Sequence, residues 1–206
     1  MPPVLTQNTI LDLIKTARYE IKKGFRYNGY SIWNTHFPPF SNGCLPASVS
    51  ALNNPVLVSA YPEAKLVVGF IRKPTDSEED ILHKRQGLHD FMALKKFECV
   101  SRSKPTYHVW LSLDGRMMLD LTGPIFVDHE DADSDKVFYA EADSPDFRMH
   151  EIVFEDSMAE AFVSKLFEAQ INSWGGASQI VIKTKPNKNI LLKILDKTKL
   201  TACKLK

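Results

Sequence analysis

Apolar residues recur along the chain in two rhythms, and the changes of rhythm mark its elements. From Thr9 to Lys22 they fall at Ile10, Leu11, Leu13, Ile14, Ala17 and Ile21, the spacing of an amphipathic helix. Residues 24 to 43, rich in Gly, Asn, Pro and aromatics, break that rhythm and read as a long loop. Leu45, Val49 and Leu52 restore helical spacing. Pro46 lies within this stretch, and proline is tolerated only in a first turn, so the helix starts close to Cys44 and runs to about Leu52. Val56 to Ala60 and Lys65 to Ile71 are short, dense apolar runs joined through Tyr61-Pro62-Glu63 and read as strands.

An acidic turn at Asp76 to Asp80 follows, with Ser77 or Asp80 able to cap a helix reaching about Phe97. Thr106 to Leu113 and Met117 to Thr122 form a predicted hairpin around Asp114-Gly115. Then come an acidic loop from Asp128 to Asp135, weak strands near 137–140 and 151–154, and a helix from about Ser157 to Asn172. Trp174-Gly175-Gly176 breaks that helix; a strand from Gln179 to Lys183 and a lysine-rich helix after Pro186 complete the chain. Helices mixed with hairpin strands predict an α+β fold. Residues 1–206 are expected to form one domain, with a core over about 40–125 and a helix–strand–helix extension over about 140–206.

Composition narrows the functional classes. The chain has 206 residues, 44% hydrophobic and 25% charged, and a formal net charge of +1, so no global field attracts nucleic acid or membrane. The lysines after residue 183 are expected on the wet side of a two-faced helix, with Ile190, Leu191, Ile194 and Leu195 inward. Without aromatic or arginine reinforcement they do not read as a nucleic-acid site. The N-terminus lacks the basic and apolar regions of a signal peptide, and no apolar run approaches the ~20 residues of a membrane span. Cysteines at 44, 99 and 203 make neither a disulfide framework nor a zinc pattern. The expected location is the cytoplasm, or another cell after delivery. No cofactor and no metal are expected: phosphate-loop, dinucleotide and zinc motifs are missing. His83 and His89 are six apart, which does not bring both to one helix face as four would. Asp131 to Asp135 lacks the glycine and the twelfth-position glutamate of a calcium loop.

The chemistry-bearing set is Cys44, His108 and Asp120, in that order. A thiol is a useful nucleophile only as thiolate, and the unpaired N–H groups and positive potential of a helix start favour that anion. The same N–H groups can hold an oxyanion. A nearby imidazole would take the thiol proton and later protonate the leaving group, and a carboxylate would fix the imidazole's tautomer. The hairpin makes a geometric demand. A two-residue turn sets His108 opposite Leu121 and sends Asp120 to the other face. A three-residue loop, Asp114-Gly115-Arg116, sets His108 opposite Thr122 and Trp110 opposite Asp120. His108 and Asp120 are then diagonal neighbours, ~7 Å apart by Cβ or less. A bulge would serve equally.

Four stretches, Asn42-Gly43-Cys44-Leu45-Pro46-Ala47-Ser48, Tyr61 to Phe70, His108-Val109-Trp110-Leu111 and Leu119-Asp120-Leu121-Thr122, resemble the papain-like and transglutaminase-like superfamily. The His-x-Trp and Asp-x-Thr pieces look most like its transglutaminase-like branch. The resemblance spans roughly residues 40 to 125. It implies a nucleophilic Cys at a helix N-terminus, packed on an antiparallel sheet that carries His and Asp. By it Cys44 is nucleophile, His108 base and Asp120 orienter. The implied activity is a thiol-dependent hydrolase or acyltransferase acting on an amide or acyl bond. Its subclasses are peptidase, amidase, protein-glutamine deamidase and transglutaminase, and bacterial effectors that modify host glutamines use the same scaffold. The implied partner is a protein or peptide substrate. The chain departs from the pattern in its short His-to-Asp interval and in lacking a glutamine shortly before the Cys. Asn42, Gly43, Asn34 and Trp110 are the remaining candidates for the oxyanion site or cleft. The alternative is a protein-binding module that keeps the scaffold without catalysis.

Overall fold

A computed structural model of the chain describes residues 4–22, 26–27, 30–31, 43–94, 105–130 and 134–173, the backbone alone for 20–22, 26–27, 30–31 and 167–173. It is an α+β fold built on one antiparallel sheet. The elements in chain order are α1 (Gln7–Lys22), β1 (Arg26–Tyr27), β2 (Tyr30–Ser31), α2 (Cys44–Leu52), α3 (Pro55–Ala60), β3 (Lys65–Ile71) and α4 (Glu78–Ala93). They continue with β4 (His108–Ser112), β5 (Met117–Asp120), α5 (Gly123–Val127), β6 (Phe138–Glu141), a 3-10 turn (Pro145–Phe147), β7 (His150–Phe154) and α6 (Asp156–Ser173). The five-stranded sheet runs β6-β5-β4-β3-β7. Its centre is the expected hairpin; one edge, β7, comes from the part of the chain expected as an extension, and the other, β6, straddles the start of that part.

Strand alternation divides the sheet into two unlike faces. Leu66, Val68, Phe70, Val109, Leu111 and Leu119 point to the larger cluster, which also holds Leu13, Leu45, Val49, Leu88, Phe154 and Phe162 from the helices and β7. Val67, Trp110 and Met118 point the other way, to a small cluster with Phe138 and Phe147. Ser48, one turn into α2, donates its hydroxyl proton to the Val109 carbonyl at 2.9 Å and ties the helix to β4. The start of α4 is locked by a capping box: Ser77 Oγ accepts from Asp80 N, and Asp80 Oδ2 accepts from Ser77 N.

Several expectations need correction. Val56 to Ala60 is not a strand but the short helix α3. Asn54 caps it by accepting from Val56 N at 2.9 Å, and Pro55 supplies a preset first turn. Leu57 alone is buried there, while Val56 and Val58 stand in solvent. The loop before Cys44 contains the two-residue strands β1 and β2. The helix expected to reach Phe97 ends at Ala93, with Leu94 as its C-cap. The short helix α5 has no counterpart in the sequence reading. The Gln179–Lys183 strand and the lysine-rich terminal helix lie outside the described residues.

Candidate active site

The hairpin closes in the register that brings His108 and Asp120 to one face. Leu111 lies opposite Leu119 and Ser112 opposite Met118, and Leu113 N donates to Met117 O at 2.8 Å. The loop is therefore Asp114-Gly115-Arg116, three residues. Gly115 takes φ +80°, where a side chain would be strained. Asp114 Oδ1 accepts from Arg116 N at 3.0 Å and Met117 N at 2.7 Å, so the aspartate pins the turn that sets the register.

His108 Nε2 meets Asp120 Oδ2 at 2.6 Å. The His108 ring also hydrogen-bonds the Cys44 thiol. With Nε2 given to the carboxylate, Nδ1 is the nitrogen left for sulfur. The three residues thus form one chain, thiol to imidazole to carboxylate. Cys44 is the first residue of α2. Its N-cap, Gly43, is buried and has no side chain to cap the helix. The first helical bond runs from Ala47 N to Gly43 O at 2.8 Å. Pro46 has no N–H, so the donors left at this helix start are the amides of Cys44 and Leu45.

Asp120 is completely buried and takes four hydrogen bonds. Oδ1 accepts from Thr122 N at 2.9 Å and Thr122 Oγ1 at 3.1 Å. Oδ2 accepts from His108 Nε2 and, at 2.9 Å, from His150 Nε2. Burial works against its charge. The charge of His108 and the hydrogen bonds of both imidazoles outweigh burial and hold the carboxyl well below the usual carboxylate range. Burial likewise opposes the imidazolium of His108. The charge and hydrogen bond of Asp120, then the hydrogen bond and charge of Cys44, overcome it and hold His108 up at about 10. Tyr107 is pushed above the ordinary phenol range, first by burial and then by the charge of Cys44.

Gly123 explains why a short helix follows β5 so tightly. A Cβ there would stand 2.5 Å from Asp120 Oδ2 and 2.5 Å from the Phe138 ring. Only glycine leaves room for the carboxylate in its hydrogen-bonded position. Around the His108 ring, Trp110 stacks at 5.8 Å between centroids, His150 lies edge-on at 5.9 Å and Phe126 edge-on at 5.2 Å. Phe126 alone among these is exposed, at 41%.

Trp110, a cleft candidate in the sequence, is fully buried and forms the inner wall behind His108. Gly43 adjoins the thiol as N-cap of α2. Asn34 and Asn42 lie outside the described residues, as do Cys99, Cys203 and Asp131 to Asp133. His83 and His89 are exposed on α4. Cys44 itself is only 7% exposed. The sequence reading missed His150, whose side chain is 2% exposed.

His108, Asp120 and His150 together offer the donor set of a two-histidine, one-carboxylate metal site, their ligand atoms lying within 4.8 Å of one another. The distances fit hydrogen bonds better. A tetrahedral ion at 2.0–2.2 Å from each ligand would hold nitrogen and oxygen about 3.3 Å apart, whereas both imidazoles touch the carboxylate oxygen directly at 2.6 and 2.9 Å.

No protein-family model matches this chain, and no curated protein or solved structure matches it. Among the described residues, no helix is long and apolar enough to cross a membrane.

Proposed function

We propose that this chain is a thiol-dependent hydrolase or acyltransferase acting on an amide or acyl bond of a protein or peptide. The observation that supports it is the imidazole of His108 held between the Cys44 thiol and the Asp120 carboxylate. His108 takes the thiol proton, and Cys44 Sγ attacks the substrate carbonyl. The oxyanion that forms is met by the amides of Cys44 and Leu45 at the start of α2. The leaving amine or ammonia takes the proton back from His108, giving a thioester. Water, with its proton passed to His108, hydrolyses that thioester; an amine in its place completes acyl transfer. Asp120 stays ionised throughout and keeps the ring oriented. The papain-like and transglutaminase-like resemblance, with glutamine deamidation or crosslinking among its activities, agrees with this scheme and adds the expectation of a glutamine or peptide substrate.

Alkylation tests the reading. Iodoacetamide at pH 6 should modify Cys44 at least tenfold faster than Cys99 or Cys203, and His108→Ala should remove the difference. Equal, slow reaction of all three thiols would refute it. Release of ammonia from a glutamine-containing protein, lost in Cys44→Ala, would then identify the acyl donor.

One observation favours a second reading, a binding module without catalysis. Cys44 and His108 are 7% and 4% exposed, and a buried thiol away from solvent is ordinarily inert. That reading predicts an unreactive Cys44 in the folded protein and an unchanged binding partner in Cys44→Ala.

A further inference from the structure

We infer that His150 is a positioning residue of the site, a second imidazole that holds Asp120 for His108; this rests on the thiol chemistry proposed above. Three observations carry it. First, Asp120 Oδ2 is shared: His108 Nε2 approaches at 2.6 Å and His150 Nε2 at 2.9 Å. Second, Asp120 is the one polar partner of the His150 side chain among the described residues. Its Nδ1 is buried with no hydrogen-bond partner there, and the ring otherwise lies against Phe147 at 4.8 Å, Trp110 at 5.0 Å and Phe138 at 6.0 Å. Leaving a buried polar atom unpaired is destabilising, and a phenylalanine would fill this apolar nest without that cost. The histidine therefore answers to the carboxylate and not to packing.

Third, the backbone is distorted to deliver it. Val68 pairs with Phe154, but Gly69 pairs with Ile152, so the β3–β7 ladder carries a bulge there. Val68 and Phe154 face the large apolar cluster. Without the bulge His150, four residues before Phe154, would face that cluster too. The extra residue moves Ile152 and His150 to the face of His108 and Asp120. Gly69 permits the close approach: a Cβ there would stand 1.8 Å from the Glu151 carbonyl oxygen. The ionisable groups around His150 are Asp120 on β5 and His108 on β4, then Cys44 on α2 beyond His108. β6 and the 3-10 turn present Phe138 and Phe147, and β3 presents Ile71 opposite it.

Two variants of the full chain separate donor from volume. His150→Phe fills the space without a donor; His150→Gln keeps a side-chain N–H at similar reach. The rate of Cys44 alkylation is followed from pH 5 to 9 by peptide mass spectrometry. We expect H150F to react about tenfold more slowly at pH 6, with its profile displaced to higher pH, and H150Q to stay within about threefold with the original profile. An H150F profile superimposable on that of the unsubstituted protein overturns the inference while leaving the thiol chemistry standing. If the unsubstituted protein itself shows no fast reaction at pH 6, the thiol chemistry fails and the inference with it. Should H150F not fold, nitrogen NMR of the unsubstituted protein decides. A hydrogen-bonded His150 Nε2–H, protected from exchange and lost in Asp120→Asn, supports the assignment, and a rapidly exchanging one overturns it.

Discussion

The two faces of the sheet obey different rules. On the helix-covered face, Leu66, Val68, Phe70, Val109, Leu111 and Leu119 meet side chains from α1, α2, α4 and α6, and the cluster is almost wholly apolar. On the opposite face, the small cluster of Val67, Trp110, Met118, Phe138 and Phe147 encloses two imidazoles and a carboxylate. Apolar burial stabilises by area and tolerates exchange of one hydrophobe for another of similar volume. A buried charge is stabilised only while each hydrogen bond is in place, and a hydrophobic replacement would often serve stability as well or better. The first face holds the fold together. The second retains groups that stability does not require, arranged in a line that leads to Cys44 in the larger cluster. That contrast is the physical argument for function.

The largest effect that would sharpen the contrast is at Asp120. Asp120→Asn should lower the rate of the proposed reaction by roughly 10³-fold or more, because the neutral amide neither stabilises the imidazolium nor fixes its tautomer. Turnover and Cys44 alkylation both report it, and retained activity would place the site elsewhere. Leu88→Ala, on the apolar face, should destabilise by about 2–5 kcal/mol in urea unfolding, since Leu88 is fully buried. The folded fraction should keep its alkylation profile. A changed profile would mean that the two faces are coupled.

Next in size comes Gly123→Ala. It removes no ionisable group yet drives a methyl against Asp120 Oδ2. Overpacking of this kind costs about 1–3 kcal/mol, and slower Cys44 alkylation should accompany the lower stability. Loss of stability with unchanged alkylation would show that the carboxylate tolerates displacement.

The polar face also has a pH signature. His108 is raised from 6.5 to about 10, so its contribution is fully present below pH 6.5 and fades as pH rises toward 10. Asp120 is depressed, so its contribution is present above 3.8 and is lost as pH falls below that value. The pair therefore stabilises most between about pH 4 and 6.5, and Tm should fall through the alkaline window. In Asp120→Asn that alkaline decline should flatten; an unchanged slope would assign it to other groups. The smallest effect is at Ser77. Ser77→Ala removes the cap of α4 and should cost about 1 kcal/mol with the site untouched, which thermal unfolding and alkylation together would check.

Local rules made much of this legible in the sequence. Pro46 fixed the start of α2 because a missing N–H is harmless only in a first turn. Asp114-Gly115-Arg116 left two registers open, and the side-chain bonds of Asp114 to Arg116 and Met117 selected the one that joins His108 to Asp120. The failures came where a neighbour overrides propensity. Val56-Leu57-Val58 has strand composition, but Asn54 and Pro55 initiate a helix there. His150 was invisible for a stronger reason. Period-two alternation assigns it to the face of Phe154, and only the bulge opposite Gly69 reverses that assignment. A bulge belongs to a pair of strands, so neither strand announces it alone.

If the site works as proposed, the Cys44 proton is shared with an imidazole held by Asp120. Thiolate absorbance near 240 nm measures it directly, as the difference between the unsubstituted protein and Cys44→Ser from pH 4 to 10. A Cys44 thiolate signal that moves to higher pH in His108→Ala is the predicted result. A signal that appears only in the alkaline range of an ordinary thiol, identical with and without His108, would contradict it.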